Sequence, residues 1–247
     1  MGITDIHTHI LPGIDDGAQD LPLACRMLEL EKSSGVDRVI MTPHYYPQEE
    51  DTSAFLRRRE EAIRQLQEAY LPEKMPEIRW GAEVRYCEFL GEMDIEQLTL
   101  AGSRYLLLEL PGGNQPRRLT QTVDHLLSQD ITPVFAHVER CIYFRNTPRL
   151  LAELVQMGAL AQVSAHAISE KWDKRFAMAC IENGLAQIIA SDAHNLDSRQ
   201  PDLAQAVENL PKEKAEAAER FARCLWDNET PPPFSIHSIA KGLLGYR

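Results

Sequence analysis

Asp5-Ile6-His7-Thr8-His9 sets two imidazoles one residue apart, and Leu11-Pro12-Gly13-Ile14-Asp15-Asp16-Gly17 follows at once. On a strand, His7 and His9 point to one face while Ile6 and Thr8 point to the other. Paired neutral imidazoles at a strand end suit a divalent metal. The turn adds two carboxylates beside a glycine, where the chain can bend sharply. The same residue types recur downstream: His44 in Thr42-Pro43-His44, Glu83 in Gly81-Ala82-Glu83, Glu109 after Leu106-Leu107-Leu108, and His137 in Phe135-Ala136-His137. Asp192 and His194 form a second alternate-residue pair. Imidazoles and carboxylates without cysteine suit manganese, iron, zinc or cobalt, and the set is too nitrogen-rich for calcium or magnesium. With one of Asp15 and Asp16 added, it exceeds what a single ion uses, which implies two or three ions sharing a bridging carboxylate. Ions about 3.5–4 Å apart clamp a phosphoryl group and lower the pKa of a shared water.

Arg140 lies three residues beyond His137 and Arg199 five beyond His194. Guanidinium binds phosphate oxygens through paired donors and neutralises charge as phosphorus is attacked. Taken singly, each residue has a plainer role. Asp15 or Asp16 is a turn residue, His44 a solvated loop histidine, Glu83 a partner of Arg85 or another arginine, and either arginine half of a surface salt bridge. Glu109 resists such a reading, because a carboxylate ending a buried apolar strand needs a charge partner or a metal. His166 reads as a rim or substrate-side histidine. His125, within a helix, and His237, in the tail, read as structural or exposed.

Hydrophobic patterning supplies the elements that must position these groups. Strands are expected at about 3–9, 38–43, 78–84, 105–110, 132–136, 160–163 and 186–190, several as near-continuous apolar runs typical of parallel strands covered on both faces. Helices are expected at about 21–34, 52–70, 119–129, 147–157, 171–183, 202–209 and 212–227. The first ends before Gly35, and Arg57-Arg58-Arg59-Glu60-Glu61 in the second reads as a solvated face. Pro231-Pro232-Pro233 then leads into a short apolar tail. Neither a repeat nor a domain-parting linker is evident, so residues 1–247 are expected to form a single α/β domain. Strands alternating with helices fit a closed or nearly closed β/α barrel, or alternatively an open doubly wound sheet. In a barrel all strand carboxyl ends meet at one rim, and every expected strand but the sixth sends a metal-type ligand there.

Composition narrows the partners. The chain is 44% hydrophobic and 26% charged, an ordinary globular balance. Its net charge of -11 disfavours nonspecific nucleic-acid binding. No apolar run is long enough to span a membrane, and no basic or apolar leader precedes Ile3, so a cytoplasmic protein is expected. Cys25, Cys87, Cys141, Cys180 and Cys224 are scattered, which fits a reducing compartment without a zinc ribbon or disulfide framework. Six residues beyond them stand Glu31, Met93, Thr147, Ala186 and Thr230. A cysteine phosphatase closes its phosphate loop on an arginine at that spacing.

Residues 5–17 (Asp-Ile-His-Thr-His-Ile-Leu-Pro-Gly-Ile-Asp-Asp-Gly) are similar to the opening of the polymerase-and-histidinol-phosphatase (PHP) superfamily. Thr42-Pro43-His44, Gly81-Ala82-Glu83, Ala136-His137-Val138-Glu139-Arg140 and residues 190–199 (Ala-Ser-Asp-Ala-His-Asn-Leu-Asp-Ser-Arg) resemble one branch of it. That branch is the manganese-dependent protein-tyrosine phosphatases of bacterial capsule and exopolysaccharide operons. The resemblance spans nearly the whole chain in order. It implies a distorted (β/α)7 barrel of TIM type with three metals, Mn2+ foremost. His7, His9, Glu83 and Asp192 would hold the first ion, bridging Glu83 with Glu109 and His137 the second, and Asp16, His44 and His194 the third. Arg140 and Arg199 match the phosphate-binding arginines. Relatives often carry Val-Asn where this chain has Val163-Ser164, and its segment through His166 is a residue shorter.

The activity implied is hydrolysis of phosphotyrosine by in-line attack of an activated water, without a phosphoenzyme. The partner implied is a tyrosine autokinase with a flexible, tyrosine-rich tail; Gly113-Asn114-Gln115-Pro116-Arg117-Arg118 is not diagnostic, though a loop there would shape the entrance and its two arginines suit an acidic tail. The rivals are a histidinol-phosphate or other small phosphomonoester phosphatase on the same centre, and a non-catalytic regulator that binds a kinase tail. A complete ligand set argues against the latter.

Overall fold

The apolar runs pair as parallel strands. A computed structural model describes residues 2–169 and 171–236; His237 and the rest of the tail lie outside the described residues. The strands are β1 (Ile3–Thr8), β2 (Val36–Met41), β3 (His44–Tyr45), β4 (Glu77–Trp80), β5 (Glu83–Arg85), β6 (Tyr105–Glu109), β7 (Thr132–Phe135), β8 (Leu160–Ser164) and β9 (Ile188–Ala190). Around them lie α1 (Leu21–Ser34), α2 (Thr52–Ala69), α3 (Leu119–Ser128), α4 (Ile142–Asn146), α5 (Pro148–Met157), α6 (Ala165–Ser169), α7 (Lys171–Glu182), α8 (Leu203–Glu208) and α9 (Lys212–Asp227). No helix among the described residues is long and apolar enough to cross a membrane.

The strand order β1-β2-β4 and β3-β5-β6-β7-β8-β9 is one ring interrupted twice. Pro43, which has no amide hydrogen, separates β2 from β3, and Gly81-Ala82 separates β4 from β5. The pairing continues across both breaks, since Gly81 N–H donates to Met41 O (2.9 Å) and Glu83 N–H to Pro43 O (3.1 Å). The ring closes at its carboxyl end. Thr8 bridges Ala193, His9 N–H donates to Ala193 O (2.8 Å), and Asp192 N–H donates to His7 O (2.9 Å). The expected barrel therefore forms, and the open doubly wound sheet does not.

Ile6, Ile40, Leu107, Val134, Ile188 and Ala190 fill the bore, and Phe221, Leu225 and Trp226 of α9 pack into the same cluster. With α9 packed beneath β1 and β9, apolar side chains close the amino end, and polar groups collect at the opposite mouth. Helix ends follow local chemistry. Asp20 caps α1 by accepting from Leu23 N–H at 2.8 Å, and Gly35 ends it at φ 103°, a left-handed turn that favours glycine.

One charge run departs from expectation. Arg57, Arg58, Glu60 and Glu61 face solvent as expected, but Arg59 is buried. Its guanidinium donates to Gly81 O (2.7 Å) and Gln97 O (2.9 Å), tying α2 to the break between β4 and β5. A continuous run of charges on a helix inevitably places some members inward, and here backbone carbonyls satisfy the one that is.

Candidate metal centre

The register of β1 aims the first pair. Asp5 and Thr8 stand opposite Val39 and Met41, so β1 carries one residue more than β2 over this span. Such a bulge re-aims side chains. Ile6 consequently joins the bore, while His7 and His9 both turn into the mouth, instead of lying opposite Ile6 as strict alternation requires. The following turn folds back, with Ala18 N–H donating to His9 O at 2.9 Å. A Cβ at Gly17 would lie 2.0 Å from that oxygen, so only glycine fits.

Two residues orient the imidazoles. Asp15 Oδ2 lies 2.8 Å from His9 Nδ1 and accepts from His44 N–H at 2.9 Å. Gln162 Oε1 lies 3.2 Å from His7 Nδ1 and accepts from His137 N–H at 2.8 Å. Both leave Nε2 of the ring directed inward, the role outer groups play around metal-ligating histidines. His137 (φ 32°) and Asp192 (φ 56°) are non-glycine residues in the left-handed region. Strain of this kind costs about 1–3 kcal/mol and persists where the surroundings enforce it.

Glu83 lies at the middle. Its Oε2 is 3.4 Å from His7 Nε2, 3.3 Å from His9 Nε2 and 2.9 Å from His44 Nδ1, and its Oε1 is 2.8 Å from His137 Nε2. Asp192 Oδ1 is 3.3 Å from His7 Nε2 and 3.4 Å from His9 Nε2. Asp16 Oδ1 is 3.4 Å from Nε2 of both His44 and His194. These approaches are close without being hydrogen bonds throughout: Glu83 Oε2, Asp192 Oδ1, His44 Nδ1, His194 Nε2 and Glu109 Oε2 are buried with no hydrogen-bond partner. Buried polar atoms ordinarily have partners. Several orphans converging on one another make a donor set for cations, and the residue types fit divalent transition metals.

Among the described residues, three groupings have ligand atoms within 4.8 Å of one another: His9, Asp16, His44 and His194; His7, His9 and Glu83; and His44, Glu83 and Glu109. His44 thus presents Nδ1 to Glu83 and Nε2 to Asp16, at the seam between groups. His137 meets Glu83 through the carboxylate's other oxygen.

Opposed charges set the protonation. Burial favours neutral His7 and His9, but carboxylates outweigh it and raise both rings, with Glu83 and Asp192 acting on His7 and Asp15 foremost on His9. Burial would likewise raise Glu83 and Asp192; the surrounding imidazoles, joined by Arg140 at Asp192, hold both well below the usual carboxylate range. His194 is pushed down to about 3 by burial and by the charge of His9.

Arg140 Nη2 and Arg199 Nη2 each donate to Asp192 Oδ2 at 2.6 Å. Both arginines therefore reach the rim as the sequence suggests. Arg85 instead pairs with Glu109 (2.7 Å), not with Glu83. His166 is half-exposed at the rim, and His125 lies 2.9 Å from Gly91 O, away from the centre. Tyr46 is an unanticipated member: its ring stacks on His44 at 5.3 Å and 21°. Burial, with the charges of Glu109 and Glu83, pushes its hydroxyl up to about 12. No thiol takes part. Burial raises Cys25, Cys87, Cys180 and Cys224, and Cys141 to about 11, so none is a ready thiolate.

Fold and donor set together define a class: parallel β/α barrels that gather imidazoles and carboxylates for divalent metals at the strand carboxyl ends. A family model described as capsular polysaccharide synthesis, CpsB/CapC, matches residues 3–230, and the chain belongs to that family. It is 34% identical over 219 residues to the tyrosine-protein phosphatase YwqE of Bacillus subtilis (strain 168), covering 85% of this chain and 84% of that protein. It is 30% identical over 224 residues to the tyrosine-protein phosphatase CpsB of Streptococcus pneumoniae, covering 84% and 89%. A chain from the crystal structures of YwqE and CpsB, described as unique metal-dependent tyrosine phosphatases, superposes with a TM-score of 0.85 at 27% identity, covering 95% of this chain and 98% of that one. A phosphotriesterase homology protein from Escherichia coli shares the fold at a TM-score of 0.53 and 12% identity, covering 90% and 97%.

Proposed function

We propose that this protein is a metal-dependent protein-tyrosine phosphatase acting by direct hydrolysis. The observation that carries the reading is the set of buried, unpartnered ligand atoms around Glu83 and Asp192, beside two guanidiniums anchored on one carboxylate oxygen. In this reading His7, His9, Glu83 and Asp192 hold a first ion, Glu83 with Glu109 and His137 a second, and Asp16, His44 and His194 a third, with manganese as the metal. Bound there, divalent cations supply Lewis-acid charge and lower the pKa of water.

The chain's own residues do the rest. Asp15 and Gln162 hold the rings of His9 and His7 in their inward tautomers. Asp192 fixes both guanidiniums through one oxygen, and their remaining N–H groups grip the equatorial oxygens of the phosphoryl group. Burial against Asp192 and Glu139 keeps Arg140 charged, since those carboxylates outweigh the loss of water. Because the groups are already held in place, little reorganisation is needed as charge develops. A tyrosine phenol, with a pKa near ~10, leaves more readily than an alkoxide.

The partner in this reading is a phosphorylated, tyrosine-rich tail of an autokinase in capsule or exopolysaccharide synthesis, a role supported by the family's description. Metal analysis paired with hydrolysis of a phosphotyrosine peptide, with and without added manganese, tests it. At least two ions per chain and manganese-stimulated release of phosphate are expected. Fewer ions with no turnover, or a strong preference for histidinol phosphate, overturns it.

A further inference from the structure

β8 is the strand whose end offers no metal-type ligand, and α6 follows it directly with His166 in its first turn. The His166 side chain is 52% exposed. It lines a cavity of about 320 Å³ together with Arg140, Ser191, Asp192, Arg199 and Gln200. One wall of that space therefore holds both guanidiniums and the carboxylate that anchors them, and another holds a titratable ring. His166 Nδ1 faces Asp202 Oδ2 at 3.9 Å, and the other oxygen of Asp202 is buried without a hydrogen-bond partner. Asp202 thus stands on the Nδ1 side of the ring, at ion-pair rather than hydrogen-bond distance.

In-line displacement sets attacking and leaving oxygens on opposite sides of phosphorus. With attack from the side of the buried donor set, the ester oxygen of a phosphate gripped by Arg140 and Arg199 would point toward the cavity that His166 lines. Charged groups that face the ring or line the cavity with it include Asp202 from the start of α8, Arg140 after β7, and Asp192 and Arg199 after β9.

On the phosphatase reading above, we propose that His166, with Asp202 beside it, donates a ring proton to the departing phenolate oxygen. The bond from phosphorus to the aryl oxygen breaks, leaving its electron pair on that oxygen, which takes the imidazolium proton and becomes phenol. Water supplies the new oxygen on phosphorus and retains one proton there. It releases the other, which restores the imidazolium.

The test is the dependence of kcat/KM on leaving group, measured on the manganese-loaded full chain with p-nitrophenyl phosphate, phenyl phosphate and a phosphotyrosine peptide. His166→Gln and His166→Asn are expected to lose about 100-fold on phenyl phosphate and the peptide. The loss should be markedly smaller on p-nitrophenyl phosphate, whose nitro group stabilises the leaving anion. Asp202→Asn should steepen the dependence in the same direction, with metal content unchanged in all variants. Equal losses on all three substrates, or none, overturn the proposal while leaving the phosphatase reading intact. A metal-loaded wild type that hydrolyses none of them removes both.

Discussion

Oδ2 of Asp15 lies 2.8 Å from Nδ1 of His9, inside a turn where Gly17 leaves no room for a side chain. Asp15 thereby fixes the ring while a neighbouring carboxylate, Asp16, faces His44 and His194. Asp15→Ala is expected to lower metal affinity about 10–100-fold, the usual effect of losing an orienting partner of a ligating histidine. Competition with a chelator measures it. Wild-type affinity in the variant would show that the contact does not orient a ligand.

Arg140 and Arg199 meet on one oxygen of Asp192, and that sharing predicts how their loss combines. Arg140→Ala and Arg199→Ala should each reduce kcat/KM for a phosphotyrosine peptide about 10²–10³-fold, as removing one preorganised donor does. The double variant should lose less than the product, because the two act on one phosphoryl group. Arg→Lys should restore little at either position, since an ammonium lacks the planar fork. Strictly multiplicative losses would mean that they act independently.

Much of this site was legible because the barrel maps strand ends onto one rim, so His44, Glu83, Glu109, His137, Asp192 and His194 could be placed without coordinates. The end of α1 before Gly35 was legible because capping is local chemistry. The bulge in β1 was not, because register belongs to a pair of strands and β2 sets half of it. Gln162 had a visible signal, an amide within the apolar run Leu160-Ala161-Gln162-Val163, but its role depends on His7 and His137 lying on either side. Helices α4 and α6 span five residues each, too short for a helical period to declare itself. Arg59 was hidden by its neighbours: within a charged run, the member that turns inward is chosen by carbonyls at Gly81 and Gln97.

Glu31 of α1 is fully buried, and neither of its carboxylate oxygens has a hydrogen-bond partner. Burial pushes its carboxyl well above the usual range, and the charges of Asp5 and Asp202 add to this. A carboxyl raised in the folded state gives stability that is fully present below its unfolded pKa of about 4.3 and is lost as pH rises through the folded value. Glu31→Met should therefore stabilise the fold by about 1–3 kcal/mol at alkaline pH and by less in mild acid. Asp5, pushed up to about 6 by burial, keeps its contacts with His7 N–H and Ser191 N–H in that variant. Chemical denaturation at the two pH values decides, and equal shifts at both would remove the electrostatic explanation.

Metal removal should cost more stability at high pH than at low. Without ions, Glu83 and Asp192 raise the His7 ring, and Asp15 foremost raises His9. The stabilisation from those imidazoliums is complete below their unfolded pKa of about 6.5 and fades as pH rises through the higher folded values. Cations need the same nitrogens deprotonated, so binding must expel protons, and more of them in mild acid than in base. Calorimetric titration with manganese in buffers of different ionisation heat should find greater proton release at about pH 6 than at about pH 8.5. Affinity should be weaker at the lower pH. Chelation should correspondingly lower Tm more at the higher pH, where metal at about 100 times its Kd contributes ~2.7 kcal/mol. Proton release that does not vary with pH would mean that these imidazoles are not what the metal competes for, and would detach His7 and His9 from the centre.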